Sequence, residues 1–387
     1  MGIPGGRRGT LRHDYFLIAL TLLLTLLGMV TLFSASYLFA LNQPRRFPGG
    51  FSPLFGNSVV CVGMVFLFPI LVLIPFGWLK KGWLIVAVVV VTLVLNILPL
   101  LEPFRGSGSA RRWIFLNEGL SFQPSELIKI VLPLYLAYIL DKNNDRLNSF
   151  VYGPLPPVIV TALFCSLVLV QSNLSDAILV AVASMTVCIV AGIPFGWFIL
   201  VFAAAAPVFY KLVFGDKEGR WYRRLADFYS GEPSPPELMT QIDYSLEAIK
   251  AGGFWGKGIG QGTLKIRMPE VHGDFIFASF VEESGFIGVV VYLVLIGVFV
   301  GISYLVAWRS SDRFAQILAF GLVTPIALQT LVNIAVVVRF IPTTGIPLPF
   351  VSSGGSSLLV TLISAALLVN IARLHVKSEK RGAPYAG

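Results

Sequence analysis

Of the 387 residues, 56% are hydrophobic and 13% are charged, with a mean hydropathy of +0.81. Soluble domains carry about 25% charged and 45–50% apolar residues, so these values exclude a soluble enzyme, a disordered chain and a disulfide scaffold. The net charge of +9 suits an anionic membrane surface or an anionic substrate without choosing between them.

Apolar residues recur in blocks near the length a helix needs to cross about 30 Å of hydrocarbon. In chain order they predict ten spans, near 15–40, 58–78, 82–101, 124–140, 154–171, 175–193, 195–214, 275–307, 313–338 and 352–372. The expected fold is an all-α polytopic integral membrane protein, one membrane domain over 1–387. A large extracytoplasmic loop at 215–274 interrupts it. Pro154, Pro156 and Pro157 crowd the start of the fifth span, where a first-turn proline is tolerated. Three cysteines (Cys61, Cys165, Cys188) sit inside apolar runs and three histidines are scattered, so no metal-ligand cluster is expected.

Lysine and arginine in short loops set the orientation. With the N-terminus cytoplasmic, the inner segments hold Arg7, Arg8, Arg12, Lys80, Lys81, Lys142, Arg146, Arg309, Arg313, Arg373, Lys377, Lys380 and Arg381. The short outer loops hold only Arg45, Arg46, Arg105, Arg111, Arg112 and Arg339. Both termini are therefore expected inside.

Candidate chemistry follows the chain. Arg105, Arg111, Arg112 and Trp113 share one outer loop against the positive-inside trend, and arginine suits bidentate capture of phosphate oxygens. An interfacial Trp alone is ordinary membrane anchoring. Glu126 and Lys129 lie three apart on one face of the fourth span, able to pair or to border a polar cavity. Intramembrane charge costs at least about 2.5–3.5 kcal/mol, which marks such residues as functional by default. Asp176 opens the sixth span, where a cap is the plain reading.

In the long loop, Leu238, Ile242, Leu246 and Ile249 make one apolar helical face beginning near Pro235 or Pro236. An amphipathic helix on the outer membrane surface is expected, with packing on the protein's own surface as the alternative. The glycines at 252, 253, 256, 258, 260 and 262 fit neither a Walker loop nor GxGxxG. Beside Lys257, Lys265 and Arg267 they read as a flexible turn, or as a loop offering N–H groups to a phosphate. Asp274 stands where this loop enters the eighth span, close to Glu270 and His272. A partly desolvated carboxylate there can act as a base, while spacing alone favours a helix N-cap. Glu282 and Glu283, two turns further on, are expected to face protein or water.

These motifs together resemble the FtsW/RodA (SEDS) peptidoglycan glycosyltransferases, across essentially all ten spans. The resemblance is carried by Arg111-Arg-Trp-Ile with Gln123-Pro-Ser-Glu-Leu-Ile-Lys129, and by Ala251-Gly-Gly-Phe-Trp-Gly-Lys-Gly-Ile-Gly260. Pro269-Glu-Val-His-Gly-Asp-Phe-Ile-Phe277 with Glu282-Glu-Ser-Gly-Phe-Ile-Gly288 is the third block. Pro342-Thr-Thr-Gly-Ile-Pro-Leu-Pro-Phe350 with Ser353-Gly-Gly-Ser-Ser357 is the fourth. Three departures stand out. His272-Gly-Asp274 replaces the usual His-Thr-Asp, Ser172-Asn-Leu-Ser175 the usual Pro-Asp-Leu-Gly, and Ser352-Ser-Gly-Gly355 the usual Ser-Tyr-Gly-Gly. Lys265 and Leu367-Leu-Val-Asn-Ile-Ala-Arg373 look like the FtsW branch, whereas Thr344-Gly-Ile-Pro-Leu-Pro349 is similar to RodA. The balance leans to FtsW.

The resemblance implies polymerisation of lipid II into glycan strands on the outer face of the bacterial cytoplasmic membrane. Polyprenyl pyrophosphate would leave with inversion at the anomeric carbon. It implies Asp274 as the catalytic base. Arg111, Arg112, Trp113, Glu126, Lys129, Lys257, His272 and Ser356 are implied on the substrate. No cofactor is required by the resemblance; a divalent cation, Mg2+ or Mn2+, could assist the leaving group, and no dedicated ligand cluster is visible. Expected partners are lipid II, a class B penicillin-binding transpeptidase and membrane lipids, with no nucleic acid. A lipid flippase and a non-catalytic scaffold are the competing readings.

Overall fold

The computed structural model describes residues 13–41, 63, 66–101, 112–117, 120–230, 241–263, 273–352 and 355–380. Apolar composition produces helices: α1 (His13–Leu41), α2 (Gly82–Ile97), α3 (Ser125–Lys142), α4 (Leu155–Val170), α5 (Leu174–Val190) and α6 (Gly196–Phe214). The long loop supplies α7 (Arg220–Ser230) and α8 (Gln241–Gly252), followed by α9 (Ile276–Arg309), α10 (Arg313–Val337) and α11 (Gly355–Lys380). The expected second span is helical over 66–72 and again at Phe76–Leu79. Helices α1, α2, α6, α9, α10 and α11 are each long and apolar enough to cross a membrane, and α4 and α5 are shorter apolar helices. This is a multi-pass membrane architecture.

Helices α10 and α11 form the centre. In the most apolar stretch of α11 78% of the residues are buried, against 11% for α6, so α6 faces the surroundings along most of its length. Close crossings depend on missing side chains. A Cβ on Gly321 of α10 would lie 2.5 Å from Pro133 of α3, and one on Gly28 of α1 would lie 2.0 Å from the Phe350 carbonyl oxygen. Small residues at such crossings let backbones approach where lipid supplies no hydrophobic drive.

Cross-links between helix ends sort the connections onto two faces. At the face where α1 begins, Lys80 pairs with Asp312, and Arg313 donates to the Ala191 carbonyl at 2.6 Å. On the same face Arg373 lies 3.9 Å from Asp14. At the opposite face, Gln171 donates to the Asn96 carbonyl at 2.8 Å and Arg339 lies 3.8 Å from Asp243. Each bond joins loops that the alternating spans assign to the same side.

Three features differ from expectation. A two-stranded antiparallel hairpin, β1 (Ile114–Asn117) and β2 (Leu120–Phe122), precedes α3. Helix α7 was not expected within the long loop, although Trp221, Leu225 and Phe228 recur at helical spacing. Helix α8 packs on the protein itself rather than on the membrane surface. Its Ser245 hydroxyl donates to the Val337 carbonyl at 2.9 Å, and a Cβ on Gly252 would lie 2.3 Å from the Val281 carbonyl oxygen. The buried face of α8 is thus the small one, Ser245, Ala248 and Gly252, flanked by Ile242 and Ile249. Residues 235–240, where its start was expected, lie outside the described residues.

Candidate active site

Asp274 occupies a turn over 273–275 immediately before α9. Phe275 is the N-cap and no side chain caps this helix, so the capping expectation for Asp274 is overturned. Its carboxylate turns instead toward the loop between α10 and α11. Gly345, at φ +75, marks the meeting point: a Cβ there would lie 3.4 Å from Asp274 Oδ2 and 3.6 Å from Arg112 Nη1. Carboxylate and guanidinium therefore converge on one small gap, where Gly345 has no side chain. Arg112 and Trp113 reach it from the residues leading into β1, and both are half-buried. Arg112 Nε is buried with no hydrogen-bond partner.

From above, Arg224 of α7 donates to the Thr343 carbonyl at 3.4 Å, two residues from Gly345. Arg224 was not among the residues expected at the site. Its only signal was a basic cluster in the long loop, and nothing local pairs that cluster with residue 343. Arg111 and His272 lie outside the described residues, as do Arg105, Lys265, Arg267 and Glu270.

Glu126 and Lys129 do not border an open cavity. Their ion pair is 2.5 Å long, Lys129 lies 3.5 Å from Asp176 as well, and all three side chains are 2% exposed. The ammonium is committed to two carboxylates, so neither Glu126 nor Lys129 is placed to touch a substrate. Asp176 is not the cap of α5 either. Asn173 caps it, accepting from the Asp176 amide at 3.3 Å and donating to the Asp176 carboxylate. The cluster supports the hairpin: Gln123 Nε2 donates to Asp176 Oδ2 at 3.3 Å, and the Gln123 amide donates to Ser356 Oγ at 2.9 Å. Ser356, 3% exposed, ties β2 to α11 instead of lining an opening.

The glycine loop is anchored rather than flexible. Lys257 Nζ lies 2.7 Å from Glu282 Oε1, which also accepts from the Thr263 amide at 2.9 Å. Glu283 accepts from the Gly260 amide at 3.1 Å and from Ser34 of α1 at 2.7 Å. The amides of Lys257 and Gly258 bond the carbonyls of Glu282 and Glu283, at 3.0 Å each. These N–H groups are spent inside the protein and do not form a phosphate cradle. The loop docks where α9 breaks at Gly285 (φ +64, ψ −166), and the amides of Phe286 and Ile287 bond Gly253 and Phe254. Helix α9 is thus split after Ser284, and the loop supplies the carbonyls that the break removes.

Among the described residues, no three His, Cys, Asp or Glu side chains converge as metal ligands do.

The chain matches the FtsW/RodA/SpoVE family, described as cell cycle proteins, over residues 14–377. A probable peptidoglycan glycosyltransferase FtsW of Geobacter sp. (strain M18) is 34% identical over 362 residues, covering 93% of this chain and 96% of that protein. A solved chain from a study of polymerization and crosslinking by a peptidoglycan synthase complex gives a TM-score of 0.75 at 26% identity. The match covers 93% of this chain and 98% of that one. The rod shape determining protein RodA of Thermus thermophilus gives 0.65 at 26% identity, covering 92% and 95% respectively. The chain belongs to the FtsW/RodA/SpoVE family.

Proposed function

We infer that this protein is a peptidoglycan glycosyltransferase of the FtsW branch, polymerising lipid II on the outer face of the bacterial cytoplasmic membrane. The observation that carries the reading is the convergence of Asp274 and Arg112 beside Gly345, in a chain whose relatives bear that activity in their names. Glycosyl transfer needs a proton acceptor and a cation a few ångströms apart, and this gap provides both.

In the reaction we propose, the 4-hydroxyl of one sugar gives its proton to the Asp274 carboxylate as its oxygen attacks the anomeric carbon of the other. The bond from that carbon to the pyrophosphate oxygen breaks, and the electron pair leaves on polyprenyl pyrophosphate with inversion. Arg112 stabilises that developing charge, joined by Arg224 and by Arg111, its neighbour in sequence. Trp113 and His272 contact the sugars. Lys257, one-third exposed beside Glu282, attracts the anionic head group at the rim. Lys129, Glu126 and Ser356 act by holding the Arg112 strand. The described residues offer no ligand set for Mg2+ or Mn2+, and chelation with EDTA during strand synthesis reads any dependence.

The reaction site lies outside and both chain termini inside, as the lysine and arginine balance supports. The partner is a class B penicillin-binding transpeptidase, which raises the rate above that of the isolated chain. The decisive experiment is strand synthesis from labelled lipid II by purified Asp274→Asn. The change keeps shape and removes the proton acceptor, so glycan should fall by about 10²–10⁴-fold. Near-normal strands from the Asn variant would remove Asp274 as base. Translocation of lipid II without strands by the parent protein would favour a transporter.

A further inference from the structure

Asp274 lies outside α9, so the helix's own hydrogen bonds do not hold its turn. Two side chains from elsewhere do. Asn333, on the penultimate turn of α10, donates from Nδ2 to the Asp274 carbonyl at 2.8 Å and to the Ile346 carbonyl at 2.8 Å. Ser352, at the end of the loop before α11, donates to the Gly273 carbonyl at 2.9 Å and accepts from the Leu348 amide at 2.7 Å.

Both bridges join the same two pieces of backbone. One piece is the turn that carries Asp274; the other is the loop that brings Gly345 against Asp274 and Arg112. Their anchor points fall on successive carbonyls of the turn, 273 and 274, and on either side of Pro347 in the loop. Two such bridges fix rotation as well as separation, which one would not.

We propose that Asn333 and Ser352 are positioning residues that set where the Asp274 carboxylate stands relative to Arg112. The proposal rests on the reading of Asp274 as the base. Burial supports it: Asn333 is 1% exposed and Ser352 4%, so neither side chain is available to touch a substrate. The amide orientation of Asn333 is set by its partners, because a flipped group would face its oxygen to two carbonyls. Its Oδ1 is buried without a partner, an unmatched acceptor worth about 1–3 kcal/mol against burial. The site tolerates that cost while keeping both donors in use, whereas an apolar residue would fill the same space without it.

Neither contact would be found from sequence, since 59 residues separate Asn333 from Asp274 and 79 separate Ser352 from Gly273. The effect should fall on turnover. A misplacement of about 1 Å costs on the order of 10²-fold in rate, while contacts that bind the substrate elsewhere are unchanged.

The test uses the full-length protein with its transpeptidase and lipid II, measuring kcat and KM for strand synthesis. Ser352→Ala and Asn333→Leu should each lower kcat at least about tenfold with KM within about twofold. Ser352→Thr keeps the hydroxyl and should retain most of kcat, and this pair decides the matter if Asn333→Leu does not fold. Parent-like kcat in Ser352→Ala, a loss confined to KM, or equal loss in Ser352→Ala and Ser352→Thr would each overturn the proposal. Asp274→Asn, run alongside, separates the two levels. If it is inactive while Ser352→Ala is normal, the base stands and the positioning role falls. If it is active, the base itself falls.

Discussion

Gly345→Ala is the sharpest probe of the gap between the Asp274 carboxylate and the Arg112 guanidinium. The residue sits at φ +75, where an L side chain costs about 1–2 kcal/mol. Its new methyl would meet Asp274 Oδ2 at 3.4 Å and Arg112 Nη1 at 3.6 Å, both ordinary van der Waals distances. The protein should therefore fold, with strain as the only stability cost. The methyl nevertheless occupies the point from which a reacting oxygen could reach both groups, so kcat for strand synthesis should fall about 10²-fold, equivalent to roughly 2.7 kcal/mol. Gly192→Ala separates strain from space. Gly192 has φ +91, nothing lies within 4 Å of its Cβ, and it belongs to the opposite face. The two variants should lose comparable thermal stability in detergent, and only Gly345→Ala should lose turnover. Equal kcat in the two would show that no reacting group passes between Asp274 and Arg112.

Other outcomes follow from the same geometry. Lys129→Met leaves two buried carboxylates without their cation, which costs about 3–5 kcal/mol; detergent melting should register this even without substrate. Arg112→Ala should weaken binding of the anionic leaving group, so added lipid II should restore part of its rate while restoring none in Asp274→Asn. In a cysteine-free background, a cysteine at position 235 should react with an impermeant reagent applied to intact cells, and one at 380 should not; labelling at 380 would invert the orientation.

The helical ranges were legible in the sequence because the length and apolarity of a span are local properties, readable from Gly82–Ile97 or Arg313–Val337 alone. Asp274 and Arg112 were legible as residue types in suggestive places. Their convergence was not, since it depends on Gly345, more than 70 residues beyond Asp274. Charge was the least legible feature. Glu126, Lys129 and Lys257 all looked available for substrate, and each is paired inside the protein or at its rim. A charge inside a span announces that a partner exists; whether that partner is a substrate or another helix is a long-range fact. The departure at Ser172–Ser175 shows the same limit. Asn173 stands where a family aspartate was expected, yet it still serves the cluster by capping α5 and donating to Asp176.

Strain gives an independent pointer to the same face. Among the described residues three non-glycines adopt positive φ: Ser172, Arg339 and Phe350. Each such residue costs on the order of 1–3 kcal/mol and persists only where its surroundings over-determine it. Ser172 and Arg339 fall at the ends of α4 and α10, on the face that carries Asp274, and Phe350 ends the loop that brings Gly345 to it. The break in α9 at Gly285 lies toward that face as well. On the opposite face the comparable turn at residue 192 is made by glycine, which adopts positive φ without that penalty. Phe350 shows what the strain is for. Its backbone bends so that its carbonyl lies against Gly28 of α1 and its ring meets Phe299 of α9 edge-on, at 5.3 Å between centroids. That anchors the far end of the 342–350 loop to two helices, leaving Gly345 suspended between fixed points. A loop tied at both ends in this way resists shifting toward Asp274 or away from it, the condition that the proposed carboxylate–cation gap requires.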